Sequence, residues 1–250
     1  MYKALSALIF TLLAMQAGAQ NARFIEADKT WHVVLQYRFF SISYDLYYSF
    51  TAESDTLIND VHYMRLFDVR DDGKHLAAIF REENGRVYRY DAGRQAEQLH
   101  YDFTLSPDDV FTFLTGGRPP PLDYQCTVTA TEELTLADGH RARKVSLSSI
   151  PLSWDCEGQP EATENIWIEG IGNICNPVYN ILDNNGDGGG DYHVVTVKRG
   201  GEVIYSRDLT DITGIRESSG EIRCYDMQGR PVDGRRHGLV ITAGRKVWRK

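Results

Sequence analysis

The sequence predicts an all-β protein: an antiparallel curved sheet, half-barrel or sandwich as the main domain, with a small β-sandwich module at its C-terminal end. Three observations carry this. Side chains alternate with the period of a strand, as where Val61, Tyr63, Arg65 and Phe67 face one way and His62, Met64 and Leu66 the other. Two-residue turn signals separate such runs: Asp72-Gly73, Asn84-Gly85, Asp138-Gly139 and Gly200-Gly201. No helical stretch falls between successive strands, which excludes a doubly wound parallel sheet.

Met1 to Gln20 has the layout of a secretory leader. Lys3 gives the positive end, Ala4 to Ala14 the apolar stretch, and Ala17-Gly18-Ala19 the small-residue cleavage site, so residues 1–19 are assigned as signal peptide. The run is too short for a membrane span of about 20 apolar residues, and no later stretch is long or apolar enough, so no transmembrane helix is expected in the mature chain. Strand character then recurs at Trp31–Phe40, Tyr44–Phe50, Val61–Phe67, Leu76–Arg81, Val87–Tyr90 and Leu99–Thr104. It continues at Cys126–Glu133, Ala142–Leu147, Asn165–Glu169, Tyr192–Lys198 and Glu202–Ser206. A short helix is expected at Ser106–Phe111, where Ser106 can cap, Pro107 suits the first turn, and Asp108 and Asp109 face the positive helix end. The main domain spans residues 20–208 and the terminal module 209–250, divided where the charge balance changes.

Between Gln20 and Asp208 there are 17 Lys/Arg against 30 Asp/Glu; from Leu209 on there are 9 against 5. An acidic body argues against nucleic acid, whose binding rests on phosphate neutralisation. At 42% apolar and 11% aromatic residues the chain can fill a bulky core. Four cysteines (Cys126, Cys156, Cys175, Cys224) in an exported chain allow three disulfide pairings. Cys156 with Cys175 is the expected pair, since both flank an irregular loop containing Pro160; closing it would add about 3 kcal/mol. The alternative is buried free thiols. No pair has the short spacing of a zinc site.

The terminal module carries three blocks. Tyr225-Asp226 leads to Gly229-Arg230 and Val232; Gly238-Leu239 leads to Ile241; Gly244 precedes Lys246 and Val247. Together they resemble the C-terminal sorting domain of the type IX (Por) secretion system of Bacteroidetes, over Ile212–Lys250. Val240 stands where that family usually has Tyr, and Cys224 is a further departure. The resemblance implies passage through the Sec translocon to the periplasm, then across the outer membrane by the type IX machinery. The protein would end secreted or held on the cell surface. In the body, segments such as Trp167-Ile168-Glu169-Gly170-Ile171-Gly172 are similar to exported Bacteroidetes proteins, which implies location and β character but no activity.

Candidate sites are few. Asp183, Asn185, Asp187 and Asp191 place oxygen ligands at the alternate positions of a calcium loop, with Gly188 at the turn. The twelfth position is Val194 where an EF-hand has Glu, and a strand follows, so a solvated hairpin loop is the simpler reading; otherwise no cofactor is expected. Trp31, Tyr37, Phe39, Tyr47, Tyr48 and Trp154 could form a platform for sugar rings or peptides, although strand spacing makes core packing the default. The seven histidines are scattered, Glu82-Glu83 and Asp108-Asp109 read as solvated charge, and no G-x-S-x-G, H-E-x-x-H or P-loop occurs. Gly170 and Gly172 are assigned to close packing or positive φ. The expectation is a non-catalytic binding module for an extracellular ligand. A secreted hydrolase with a site assembled across strands is the first alternative, and a structural surface or adhesion component the second.

Overall fold

The computed structural model describes residues 21–39, 42–114, 123–152, 162–181 and 190–207, together with the strands of the last forty residues. By contacts the chain divides into two units, Met1–Arg207 and Asp208–Lys250.

The first unit is all-β and antiparallel. It opens with a meander of six strands: β1 (Lys29–Phe39), β2 (Ile42–Ile58), β3 (Val61–Arg70), β4 (Gly73–Glu83), β5 (Arg86–Asp91) and β6 (Ala96–Asp102). The chain then crosses to a second sheet made of β7 (Val110–Leu114), β8 (Asp123–Thr135), β9 (Arg141–Pro151), β10 (Thr163–Ile168) and β11 (Gly172–Asn173). It returns with β12 (Gly190–Arg199) and β13 (Glu202–Ser206), and β12 pairs with β1. The result is an eight-stranded sheet in the order β13-β12-β1-β2-β3-β4-β5-β6, facing a five-stranded one in the order β11-β10-β9-β8-β7. Neither closes into a barrel.

Turn chemistry explains the meander. Asn84-Gly85 (φ 51° and 75°) and Gly200-Gly201 (56° and 88°) are positive at both positions, as a type I′ hairpin demands. Asn59-Asp60 (48° and 62°) makes a third such turn without any glycine. At Asp72-Gly73 and Asp138-Gly139 the expectation fails, because only the glycine is positive. Arg70 pairs with Gly73, so the β3–β4 loop is Asp71-Asp72.

The expected helix at Ser106–Phe111 does not form. Asp108 takes a positive φ of 69°, which no helix continues. The Asp109 carboxylate accepts the Ser106 N–H at 2.8 Å, closing a turn, and Asp108 N–H and Asp109 C=O then pair with Val128. The acids stabilise a turn into β7 in place of a helix dipole.

The core lies between the sheets and is aromatic. Phe24 packs on Trp31, Phe80 and Tyr101 at ring distances of 5.6, 5.4 and 5.1 Å, and Tyr101 meets Trp167 of the opposite sheet at 5.2 Å. Trp31 Nε1 donates to Ile171 O at 2.9 Å, tying β1 to the five-stranded layer. Gly172 has φ +87°, and a Cβ there would lie 2.6 Å from the Phe24 ring. Gly170 is similarly confined, by Ala22. Both glycines therefore serve close packing.

Residues Asn21 to Asp28 form a strap across the sandwich. Glu82 Oε2 accepts the N–H groups of Phe24 (2.8 Å) and Ile25 (3.3 Å), while buried Lys29 donates to carbonyls of Arg23, Phe24 and Gly170 and pairs with Glu26 at 3.0 Å. The reading of Glu82 as solvated charge is thus overturned: its side chain is 7% exposed. Burial pushes its carboxyl up to about 7, against the opposing pull of these hydrogen bonds, Arg23 and Lys29.

In the second unit, β14 (Cys224–Tyr225), β15 (Pro231–Val232), β16 (Gly238–Thr242) and β17 (Arg245–Arg249) pair with one another in the order β15-β14-β16-β17.

Candidate functional site

A polar cavity of about 350 Å³ opens between the inner face of the eight-stranded sheet and the loop Ile174–Ile181. Its lining includes Asp68, Arg70, His75, Arg89, Tyr48 and Tyr192. Charged side chains on the inner face of a sheet are costly to bury and need a local cause.

Register supplies that cause. Cross-strand partners share a face, and Asp68 is opposite both Phe50 on β2 and His75 on β4. In β4 the inward residues are Ala78, Phe80 and Glu82. A bulge breaks the count: Leu66 pairs with Ala78 and Phe67 with Leu76, leaving Ala77 unpaired. That extra residue resets the phase, so His75 joins Asp68 on the inner face. Arg89 on β5 is opposite Phe80 and points the same way.

Asp68 is 6% exposed. Its Oδ2 accepts from Arg70 Nε at 2.7 Å and meets Nη2 at 2.6 Å, whereas buried Oδ1 has no hydrogen-bond partner among the described residues. Arg89 reaches Val178 O and Ala77 O, both at 3.4 Å, so it spans the bulge and the loop. Burial lowers its pKa from the usual guanidinium value. Tyr48 and Tyr192 stand with ring centres 6.2 Å apart. His75 lies at the rim, with Nε2 3.0 Å from Asp72.

The loop side is held from below. Trp167 Nε1 and Asn173 Nδ2 donate to Asn180 O at 2.7 and 3.1 Å, and the Tyr101 hydroxyl donates to Pro177 O at 3.0 Å. Asn176 Oδ1 accepts Val178 N–H at 2.9 Å. The wall of the cavity is therefore fixed by side chains of the core.

Other groups with chemical potential are turned to structural tasks. Glu169, whose carboxyl is raised by burial, accepts the Arg143 N–H at 3.1 Å. Burial pushes the Cys126 thiol up to about 11, and its sulfur lies 3.5 Å from Ser149 Oγ. His100 is buried against Phe80 and Tyr101, and desolvation drives its pKa well below the ordinary imidazole value. A second groove of about 290 Å³, between β6 and β7, is lined mainly by Leu99, Leu105, Phe111 and Phe113. Its carboxylate, Asp102, is already engaged by Arg86 and Thr104.

Of the sequence-predicted sites, Asp191 is an exposed residue of β12 paired with Gln36, while Asp183, Asn185 and Asp187 lie outside the described residues. Among the described residues no group of three or more metal-ligating side chains occurs. Cys175 is a free thiol and Cys156 lies outside the described residues. Of the aromatic platform, Trp31 is core, Tyr47 is 76% exposed and Tyr48 alternates to the inner face, so these three share no exposed surface. The side chains of Tyr37 and Phe39, and Trp154, lie outside the described residues. In the tail, Tyr225 and Val232 fall on β14 and β15, Gly238, Leu239 and Ile241 on β16, and Lys246 on β17. Tyr225 pairs with Pro231 and Ile241, and Ile241 with Lys246. Asp226, Gly229, Arg230 and Gly244 lie outside the described residues.

Sequence reasoning missed Asp68, Arg70 and Arg89. The available signal was a charge at the inward phase: Asp68 and Arg70 continue the series of Met64 and Leu66.

No family model matches the chain, and no curated protein or solved structure shows significant similarity to it. No helix among the described residues is long and apolar enough to cross a membrane.

Proposed function

We propose that this chain is a binding protein, exported by the type IX route and secreted or held on the cell surface, whose body captures a small polar ligand without converting it. The observation that carries the binding reading is the Asp68–Arg70 pair beside Arg89, in a cavity between the sheet and its loop. Such a cavity, with a few convergent polar groups among aromatic faces, is the usual form of a small-molecule site. Among the described residues the carboxyl groups raised by burial, Glu82 and Glu169, both accept backbone N–H groups, which supports binding over acid–base catalysis.

Export is supported by the leader-like first twenty residues and by the three sorting-type blocks over Ile212–Lys250. Two experiments test the proposal. Thermal unfolding of the chain against a library of small polar metabolites should yield ligands that raise Tm, with the effect lost in R70A. A library without any such ligand would refute binding. Cells expressing the chain with and without Ile212–Lys250 should differ in surface or medium delivery; equal delivery would refute the sorting assignment.

A further inference from the structure

The strap Asn21–Asp28 is fastened at its start, middle and end. At the start, Ala22 N–H donates to Arg141 O at 2.9 Å, and Asn21 Nδ2 lies 3.5 Å from Glu169 Oε1. In the middle, the Phe24 and Ile25 amides are met by a side chain, Glu82 Oε2, in place of a neighbouring strand. At the end, Asp28 takes a positive φ of 63° and its carbonyl accepts Gly200 N–H at 3.1 Å. The load carried inward is Phe24, fully buried against Trp31, Phe80 and Tyr101.

The middle fastening is titratable, and its surroundings offset a charge poorly. Arg23 Nε stands 3.9 Å from Glu82 on a side chain that is 57% exposed. Lys29 of β1 also faces Glu82, but its ammonium is committed to Glu26 and to carbonyls of Arg23, Phe24 and Gly170. Arg199 of β12 is shared among Glu26, Asp138 and His140. On β5 the residue opposite Glu82 is the apolar Val87, and neighbouring Arg86 is bound to Asp102. The strap amides cover Glu82, so lifting the strap returns its carboxyl to water. Closure and protonation are thereby linked.

We propose that Asn21–Asp28 is a pH-gated latch: ionisation of Glu82 favours a form in which the strap lifts Phe24 out of the core while both sheets stay folded. In the closed form burial holds the carboxyl at about 7, and in the open form it returns to 4.5. Closure is therefore strongest below pH 4.5, weakens as pH rises and levels off above about 7. Between pH 5 and 8 the open fraction rises roughly 70-fold.

Amide exchange of the full chain at pH 5 and 8, corrected for intrinsic rates, reads the open fraction at Phe24 and Ile25. Their protection should fall roughly 70-fold over that range. It should also stay below that of the central β1 amides and change little in low urea, since a local opening exposes little surface. In E82Q the fall should shrink to less than tenfold. A second reading needs no variant: tryptic cleavage after Arg23, relative to an unstructured peptide of the same residues, should speed up at least tenfold from pH 5.5 to 8. Strap protection or relative cleavage that is flat with pH would overturn the latch. So would strap amides that match β1 in protection and urea dependence, because the strap would then leave only on global unfolding. A full pH dependence retained in folded E82Q would move the gating to Glu169 or His140 and discard Glu82.

Discussion

Replacing Glu82 by glutamine isolates the ionisation of the side chain that holds the strap. In the folded chain Oε2 accepts the Phe24 and Ile25 N–H groups, and burial raises the carboxyl from 4.5 to about 7. The native state therefore holds a proton that the unfolded chain has released over the interval between those values. By linkage, the contribution of this group is fully present below pH 4.5 and is lost as pH rises through about 7. A difference of roughly 2.5 pKa units at about 1.4 kcal/mol each gives on the order of 3 kcal/mol lost by pH 8. Glutamine keeps an acceptor for the strap and does not titrate. E82Q should match the parent near pH 4.5 and exceed it by about 3 kcal/mol at pH 8. Urea unfolding of both proteins at pH 5, 6.5 and 8 reads this directly, since titration of the other carboxyl groups cancels in the difference. Parallel stability curves for the two proteins would refute the argument.

Three further outcomes follow from the packing. G172A should destabilise by roughly 3 kcal/mol, combining a positive φ with a Cβ 2.6 Å from Phe24, whereas G201A, with φ +88° and nothing within 4 Å, should cost only about 1 kcal/mol; equal losses in chemical denaturation would contradict the packing. Y101F removes the hydroxyl that accepts Asn173 N–H and donates to Pro177 O, and should cost roughly 1–3 kcal/mol while speeding amide exchange in Ile174–Ile181; unchanged exchange would count against the loop's anchoring. Cys126, with its thiol pushed up to about 11, should resist thiol reagents at pH 7.5 until the chain unfolds; rapid native labelling there would be the contrary result.

The all-β class was legible from alternation, because the side-chain period of a strand survives in any tertiary setting. Turns with glycine at both φ-positive positions, or Asn-Gly, were legible for the same local reason. Asn59-Asp60 escaped because neither residue obliges a left-handed conformation. The helix over Ser106–Phe111 was misread because Asp109, a good helix-start residue, is equally good at closing a turn onto Ser106. Glu82 looked solvated since its neighbour Glu83 is, and only the strap's amides distinguish them. The cavity depends on a bulge at Ala77 and on a loop about a hundred residues downstream. Neither leaves a local mark: an alanine gives no sign that its position lacks a cross-strand partner.

That unpaired alanine also constrains how the hairpin can vary in length. Removing it would let Leu76 follow Ala78 directly into the place opposite Phe67, restoring two-residue alternation with His75 still opposite Asp68 and facing inward. Related chains that keep the cavity should therefore carry either the bulge or one residue fewer between the positions of His75 and Ala78, with the arm less twisted in the shorter form.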